Sequence, residues 1–279
     1  MKYYHVDVFS SKPMSGNGLA VVFPDREIDS ETLLNITGEF RQFETVFIYP
    51  GEDGCFPLRI FTVDEELEFA GHPVLGAAAV LHKAFYSEFR NQNVSVKIKK
   101  RNLSVVSEGK DGLFSVTMNQ GYPDYLNTVD EKYYHQIAES LNLSVSDIDH
   151  AFPLEVVSTG LPYLLVPLKS GIEKCGIKVS DFEKQLKQFS AKFVYVFDTG
   201  SLECRTWDNS GIFEDVATGS AAGPLCAWLI KHGVKKANEK IYLSQGRFLN
   251  RPSVIECWSD SGEVFIKGDV SFFGEGELY

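Results

Sequence analysis

The sequence predicts an α+β fold of two pseudo-symmetric domains, each a strongly curved, barrel-like sheet wrapped around a central apolar helix. Three observations carry that expectation. In FAGHPVLGAAAVLH, residues 69–82, eight of the nine residues from Pro73 to Leu81 are apolar and Gly76 is the ninth; a helix with no polar face can rest only inside a protein. A second apolar helix is expected at 221–231. Around these helices, runs of strand and helix pattern return in one order, β-β-α-β-β-α-β-β-β, in both halves of the chain.

The first half opens on alternating apolar runs that predict strands at 3–9 and 19–23, then a helix at 30–39 and strands at 45–49 and 58–62. The apolar helix at 73–83 follows, and strands at 94–99, 103–107 and 113–118 close this half. After a connecting helix at 131–141 the order repeats, with strands at 154–158 and 163–168, a helix at 181–189, strands at 193–197 and 202–207, the second apolar helix, and strands at 241–244, 254–258 and 264–270. Two short matches set the register of the repeat. Ser15-Gly16-Asn17-Gly18 answers Thr159-Gly160-Leu161-Pro162 at an offset of 144, and His72-Pro73-Val74-Leu75-Gly76 answers Asp215-Val216-Ala217-Thr218-Gly219 at 143. The domains expected are 1–120, with 265–279 a candidate to rejoin it, and 121–264.

Composition narrows the function. With 279 residues, 44% of them hydrophobic, the chain can bury real cores. A net charge of −11 and a pI near 5.1 disfavour nucleic acid, which needs a basic stripe; Lys99-Lys100-Arg101 is the one compact basic run. MKYYHVDVF enters a strand pattern directly instead of a signal-peptide pattern, and no apolar run approaches membrane-spanning length. A cytoplasmic protein with neither a nucleic-acid nor a membrane partner is expected. Five cysteines without a C-x-x-C pair and six dispersed histidines give no disulfide framework and no metal-ligand spacing.

The residues that break the apolar pattern sit beside the two apolar helices: His72 before one, Asp215 and Ser220 around the other. A helix start leaves backbone N–H groups unpaired and carries partial positive charge, so two of them facing one cleft would hold a small anion such as a carboxylate. Gly71, Gly219, Ser220 and Ala221 are small enough to let a ligand approach that backbone. A purely structural role competes with this, since Asp215 is a good N-cap residue, Ser220 can cap locally and Pro73 suits a first turn. Capping alone does not ask for His in one half and Asp in the other. Glu44, in FRQFETVFIYP, has two readings as well. By periodicity it is a strand-edge acid facing water; by chemistry, a carboxylate desolvated among Phe43, Val46 and Phe47 is suited to accepting and returning a proton. Arg59 and Arg205 could attract anions, but ion pairing at strand ends is the stronger expectation.

VDVFSSKPMSGNGLAVVF, ETVFIYP, RIFTVDEELEFAGHPVLGAAAVL and GIFEDVATGSAAGPLCAWL together resemble the phenazine-biosynthesis F-type (PhzF-like) isomerases. The resemblance implies a diaminopimelate-epimerase-like fold with the active site between two similar domains, a homodimer, and no metal or organic cofactor. It implies that Glu44 moves the proton while His72, Asp215 and Ser220 orient the substrate and assist transfer. The candidate substrate-binding set is Asn17, Gly71, Gly219, Ser220 and Ala221. The wider superfamily includes racemases with a cysteine at each helix start; here His72 and Asp215 are matched to those places, which disfavours a two-thiol mechanism. Gly18 stands where the family usually has proline after SGN, and Val216 where EDP is usual; both changes are expected to loosen the backbone at turns lining the pocket. The expected function is a cofactor-independent isomerase that moves a proton on a small, carboxylate-bearing, anionic metabolite, with Glu44 as acid and base. The alternative is a catalytically silent small-metabolite binding protein of the same fold. A metal-dependent hydrolase is weaker, because no ligand spacing supports it.

Overall fold

The computed structural model describes residues 1–51, 53–99 and 101–279, with the side chain of Arg101 excepted. Lys100 and that side chain, both in the basic run, therefore lie outside the described residues. The chain divides into two compact units, Met1–Asn119 with Lys267–Tyr279, and Gln120–Ile266. The first carries β1 (Lys2–Val8), β2 (Asn17–Phe23), α1 (Ser30–Phe40), β3 (Glu44–Ile48), β4 (Cys55–Phe61), the two-residue β5 (Glu66–Leu67), α2 (Gly71–Phe85), β6 (Asn91–Ile98), β7 (Arg101–Lys110) and β8 (Leu113–Gly121), whose last two residues belong to the second. Next come β9 (Asp124–Thr128), α3 (Tyr134–Ser140), β10 (Glu155–Ser158), β11 (Pro162–Leu168), α4 (Phe182–Gln188), β12 (Phe193–Asp198) and the two-residue β13 (Cys204–Arg205). The chain ends with α5 (Gly219–Lys231), β14 (Ile241–Gln245), β15 (Ser253–Asp260) and β16 (Glu263–Glu277), which begins in the second unit and ends in the first.

In the first unit eight strands run in the order β1-β2-β3-β4-β6-β7-β8-β16, and β16 returns to β1 from Lys2↔Glu277 to Val8↔Val270. The sheet thus closes on itself into a barrel without open edges. Two neighbouring pairs, β2–β3 and β4–β6, are parallel. Parallel neighbours need a crossover, and the two crossovers are α1 and α2. Helix α1 starts at Asp29, whose side chain accepts from the Thr32 amide, and Leu33 packs with Val22, Phe47 and Phe61. Helix α2 packs against β1, β2, β3, β6 and β7. Every residue of it from Gly71 to His82 is buried, as a helix without a polar face requires. Strands covered on both faces lose their alternation, which is why all five residues of β3 are buried. His82 is accommodated because Nε2 donates to the Phe89 carbonyl at 2.9 Å and Nδ1 accepts from Ser107 Oγ at 2.8 Å.

The second unit holds a five-stranded sheet, β13-β12-β11-β10-β9, in which β11 and β12 are parallel across α4. A single parallel bridge, Glu203↔Ser244, joins β13 to β14, and β14 pairs antiparallel with β15. Helix α5 lies against β10, β11 and β15, with Trp228 edge-on to Phe197 at 5.1 Å. The opposite face of the sheet, including Val156, Leu164, Val166 and Val196, is covered by residues of α3 and α4. Among the described residues no helix is long and apolar enough to cross a membrane.

Three expectations change. The strand expected at 202–207 shrinks to Cys204–Arg205, and β5 and β9 go beyond those expected; β9 is mostly exposed and is defined by pairing with β10, not by its own pattern. Gly18 does not loosen a turn: it lies inside β2, paired with Asp7. The match of His72 to Asp215 also fails, because the helices begin at Gly71 and Gly219, 148 positions apart, and His72, second in α2, corresponds to Ser220, second in α5. The sequence match sets Gly76 against Gly219. Gly76 is instead an interior packing glycine, where an added Cβ would collide with Leu19 and stand 3.2 Å from Val8 Cγ2.

That packing yields a paired stability test. Gly76→Ala should destabilise by about 1–3 kcal/mol through overpacking. Gly38→Ala, exposed in α1 with nothing within 4 Å of its added Cβ, should stabilise by about 0.5–1 kcal/mol. Urea titrations of the two variants should move in opposite directions.

Candidate active site

The first-unit residues assemble around the start of α2. Asn17 and Glu44 are the first residues of β2 and β3, adjacent parallel strands in register Leu19↔Glu44, so their side chains leave neighbouring positions at one end of the sheet. His72 sits in the first turn of α2, whose N-cap, Ala70, offers no side-chain bond. The three meet: His72 Nε2 is 3.0 Å from Glu44 Oε2, and its Nδ1 is 3.4 Å from Asn17 Nδ2. Glu44 and His72 are each 5% exposed and Asn17 1%. The Glu44–His72 contact is at ion-pair distance, but its angle falls short of a directed hydrogen bond. With Asn17 Nδ2 as donor, Nδ1 accepts and the ring proton sits on Nε2, toward Glu44. The strand-edge reading of Glu44 is therefore overturned: burial on both faces of β3 takes its carboxylate out of water.

Pro73 has no N–H, so the amides that the start of α2 leaves without a helical partner are those of Gly71 and His72. In the second unit α5 also begins without a side-chain cap, at Thr218. The Ala221 and Ala222 amides both return to the Thr218 carbonyl at 3.1 Å, so the preceding amides, of Gly219 and Ser220, open from the helix start. Ser220 Oγ lies 2.7 Å from the Tyr163 hydroxyl. Asp215 is not the N-cap. It stands three residues earlier in a turn and accepts from Thr218 Oγ1 at 2.5 Å through Oδ2. The local capping roles considered for Asp215 and Ser220 are thus not the ones they play. Val216, half-buried, packs its carbonyl where a Cβ on Gly246 would collide.

Arg59 and Arg205 occupy comparable strands and both form carboxylate forks. Arg59 holds Glu66 at 3.0 and 2.7 Å, and Arg205 holds Glu214 at 2.8 and 2.6 Å. Arg205 also donates to the carbonyls of Ile172, Glu173 and Cys175, and lies over the rings of Trp207 and Phe248. Ion pairing, not anion capture, is their work. Among the described residues no three His, Cys, Asp or Glu side chains cluster as a metal site.

A model of the phenazine biosynthesis-like proteins, PhzC-PhzF, matches residues 6–274. The chain is an isomerase of the PhzC-PhzF family. It is 29% identical over 288 residues to the trans-2,3-dihydro-3-hydroxyanthranilate isomerase of Pseudomonas aeruginosa, covering 100% of this chain and 99% of that protein. The solved structure of a protein described as a predicted epimerase from Pseudomonas aeruginosa matches with a TM-score of 0.94 at 40% identity, over 99% of this chain and 98% of that one. A probable proline racemase from Agrobacterium radiobacter K84 shares the fold, with a TM-score of 0.65 at 12% identity over 100% of this chain and 92% of its own. The mixed α+β architecture, an eight-stranded barrel-like sheet plus a second sheet, is thus the fold that PhzC-PhzF members share with proline racemases.

Two buried amides of this PhzC-PhzF member escaped the sequence reading. Gln120 Nε2 donates to the Gly219 carbonyl at 3.0 Å while its Oε1 accepts from Thr159 Oγ1, which ties the start of α5 to the turn between β10 and β11. Gln245 braces the Asp215 turn. Neither stands in a motif, and both side chains act far along the sequence from their own position.

The two arginine forks differ in burial, about 9% exposure for Arg205 and Glu214 against 24% and 26% for Arg59 and Glu66. Glu214→Gln should destabilise by about 3–5 kcal/mol, because it strands a buried guanidinium, and Glu66→Gln by about 1 kcal/mol or less. The guanidinium of Arg59 holds the Glu66 carboxyl below its ordinary value. Its contribution is therefore present above the usual carboxylate range and lost as pH falls through the lowered value. Thermal melts from pH 7 to pH 3 should show the gap between wild type and Glu66→Gln closing toward acid.

Proposed function

We propose that this family member is a cofactor-independent isomerase that moves a proton on a small carboxylate-bearing metabolite, with Glu44 as the acid and base. The observation that carries the reading is a buried carboxylate at the head of β3, 3.0 Å from a histidine in the uncapped first turn of α2. Glu44 takes a proton from carbon; the electron pair left behind spreads into the conjugated or carbonyl system of the substrate; the protonated Glu44 then returns the proton to another carbon of the same skeleton. No net oxidation occurs and no second reactant is consumed. The uncapped starts of α2, with the Gly71 amide, and of α5, with the amides of Gly219 and Ser220, each suit an anionic group such as a carboxylate or an enolate. Asn17, beside His72, and Ala221, in the first turn of α5, belong to the same proposed substrate-binding set. His72 and Asp215 orient the substrate and assist transfer.

In this reading the two units are pseudo-symmetric halves, α2 and α5 being the helices their sheets enclose. The same run of pairings supports it: antiparallel, parallel across α1 or α4, antiparallel, then parallel across α2 or α5. A homodimer working in the cytoplasm is part of the same proposal.

The compound named for the Pseudomonas aeruginosa relative is itself a small carboxylate, which makes trans-2,3-dihydro-3-hydroxyanthranilate the first substrate to assay. Glu44→Gln keeps size and loses the ability to accept a proton. It should lose at least ~10²-fold in kcat while still showing ligand-induced thermal stabilisation. Substitutions of His72 and Asp215 should cost less. A folded Glu44→Gln variant with wild-type turnover would end the proposal.

A further inference from the structure

We propose that Gln245 and Thr218 are positioning residues that fix the Asp215 carboxylate through a one-way chain of hydrogen bonds, from Gln245 to Thr218 to Asp215 Oδ2. The inference rests on the reading that Asp215 assists proton transfer, and it names what holds that side chain ready.

The direction of the chain follows from groups whose roles admit no choice. Gln245 is the last residue of β14 and 1% exposed. Its Oε1 lies 3.1 Å from the Thr218 backbone N–H, which can only donate. Its Nε2 lies 2.8 Å from the Asp215 backbone carbonyl, which can only accept. The amide therefore has one orientation, since the flipped one would set donor against donor and acceptor against acceptor. The remaining amide proton then points at Thr218 Oγ1, 3.0 Å away, so that oxygen accepts. A hydroxyl has one proton, and with its oxygen facing Gln245 the proton is directed at Asp215 Oδ2, 2.5 Å away. The second lone pair of Gln245 Oε1 takes the Tyr195 hydroxyl at 3.0 Å. All four hydrogen-bonding positions of a buried amide are thus used, three of them on the Asp215–Thr218 turn.

Two further observations show the turn is held from outside its own residues. The Asp215 amide donates to the Thr206 carbonyl at 3.0 Å, and Gly246, at φ +81°, leaves the space that the Val216 carbonyl occupies. Tyr195, fully buried, is held well above the ordinary phenol value by desolvation and stays a neutral donor. Neither Gln245 nor Thr218 needs to touch substrate. Their effect is to spare the carboxylate the search through its rotamers in each turnover, an orientation effect that appears in kcat.

Crystal structures of Thr218→Val and Thr218→Ser test the geometry without any substrate. Thr218→Val removes the hydroxyl at similar volume, and the Asp215 carboxylate should leave its position or split between rotamers; Thr218→Ser should keep it in place. In Gln245→Met, which removes the amide at similar length, the Thr218 hydroxyl should lose its single orientation. This variant decides the matter if Thr218→Val does not fold. An Asp215 carboxylate unmoved in Thr218→Val, or a Thr218 rotamer unmoved in Gln245→Met when that variant must decide, overturns the proposal. Kinetics on trans-2,3-dihydro-3-hydroxyanthranilate supply the second readout. Thr218→Val should lower kcat by ~10-fold with KM within about twofold, Thr218→Ser should restore it, and Thr218→Val should cost nothing further on an Asp215→Asn background. An Asp215→Asn enzyme with wild-type kcat removes the catalytic role of Asp215 alone and leaves the positioning claim to stand or fall on the crystal structures.

Discussion

A helix with no polar side must be surrounded, and most of the architecture answers that demand. Helix α2 buries every residue from Gly71 to His82, which one flat sheet face could not accomplish. The eight strands of the first unit solve the problem by closing into a barrel, and closure requires the chain to return β16 to β1 after everything else has been built. The enclosure leaves little slack: a Cβ at Gly76 would force Leu19 to shift, and the one polar side chain deep in the helix, His82, needs partners for both ring nitrogens.

The same enclosure creates the chemistry. A buried helix start cannot leave its first amides to water, and α2 and α5 both begin without a side-chain cap. Such a start is an electropositive, donor-rich spot suited to an anion. Around α2 the strand register delivers what is needed beside it. Parallel β2 and β3 begin with Asn17 and Glu44, and both side chains reach His72. A parallel pair thus does two jobs, covering the core and presenting an amide and a carboxylate at the same end of neighbouring strands. Around α5 the corresponding polar groups, Asp215 and Ser220, are held by Thr218 and Tyr163 instead.

The charges of Arg59 and Arg205 are neutralised by local carboxylates. The two arginines that could have drawn anions are spent on Glu66 and Glu214, and the deeper of them is also enclosed by three carbonyls and two aromatic rings. With each guanidinium neutralised within its own unit, backbone amides are among the donors offered at the helix starts. Backbone donors carry no net charge and need no reorganisation to meet an anionic group.

By itself the sequence determined the things that depend on local pattern and composition: the two apolar helices, most strands, the family motifs, and the candidates Glu44, His72, Asp215 and Ser220. These were legible because an apolar run, a strand period and a motif are written in consecutive residues. Only tertiary structure decided that Glu44 is buried instead of facing water, since that depends on α1 and α2 covering opposite faces of β3. It also decided that His72 corresponds to Ser220 and not to Asp215, because helix starts are set by backbone geometry while the sequence match followed two glycines with different tasks. Gly18 proved to be a strand residue because pairing with Asp7 claims its backbone. Gln120 and Gln245 were invisible for the plainest reason: a buried amide takes its meaning from its hydrogen-bond partners, and theirs lie between 27 and 99 residues away along the chain.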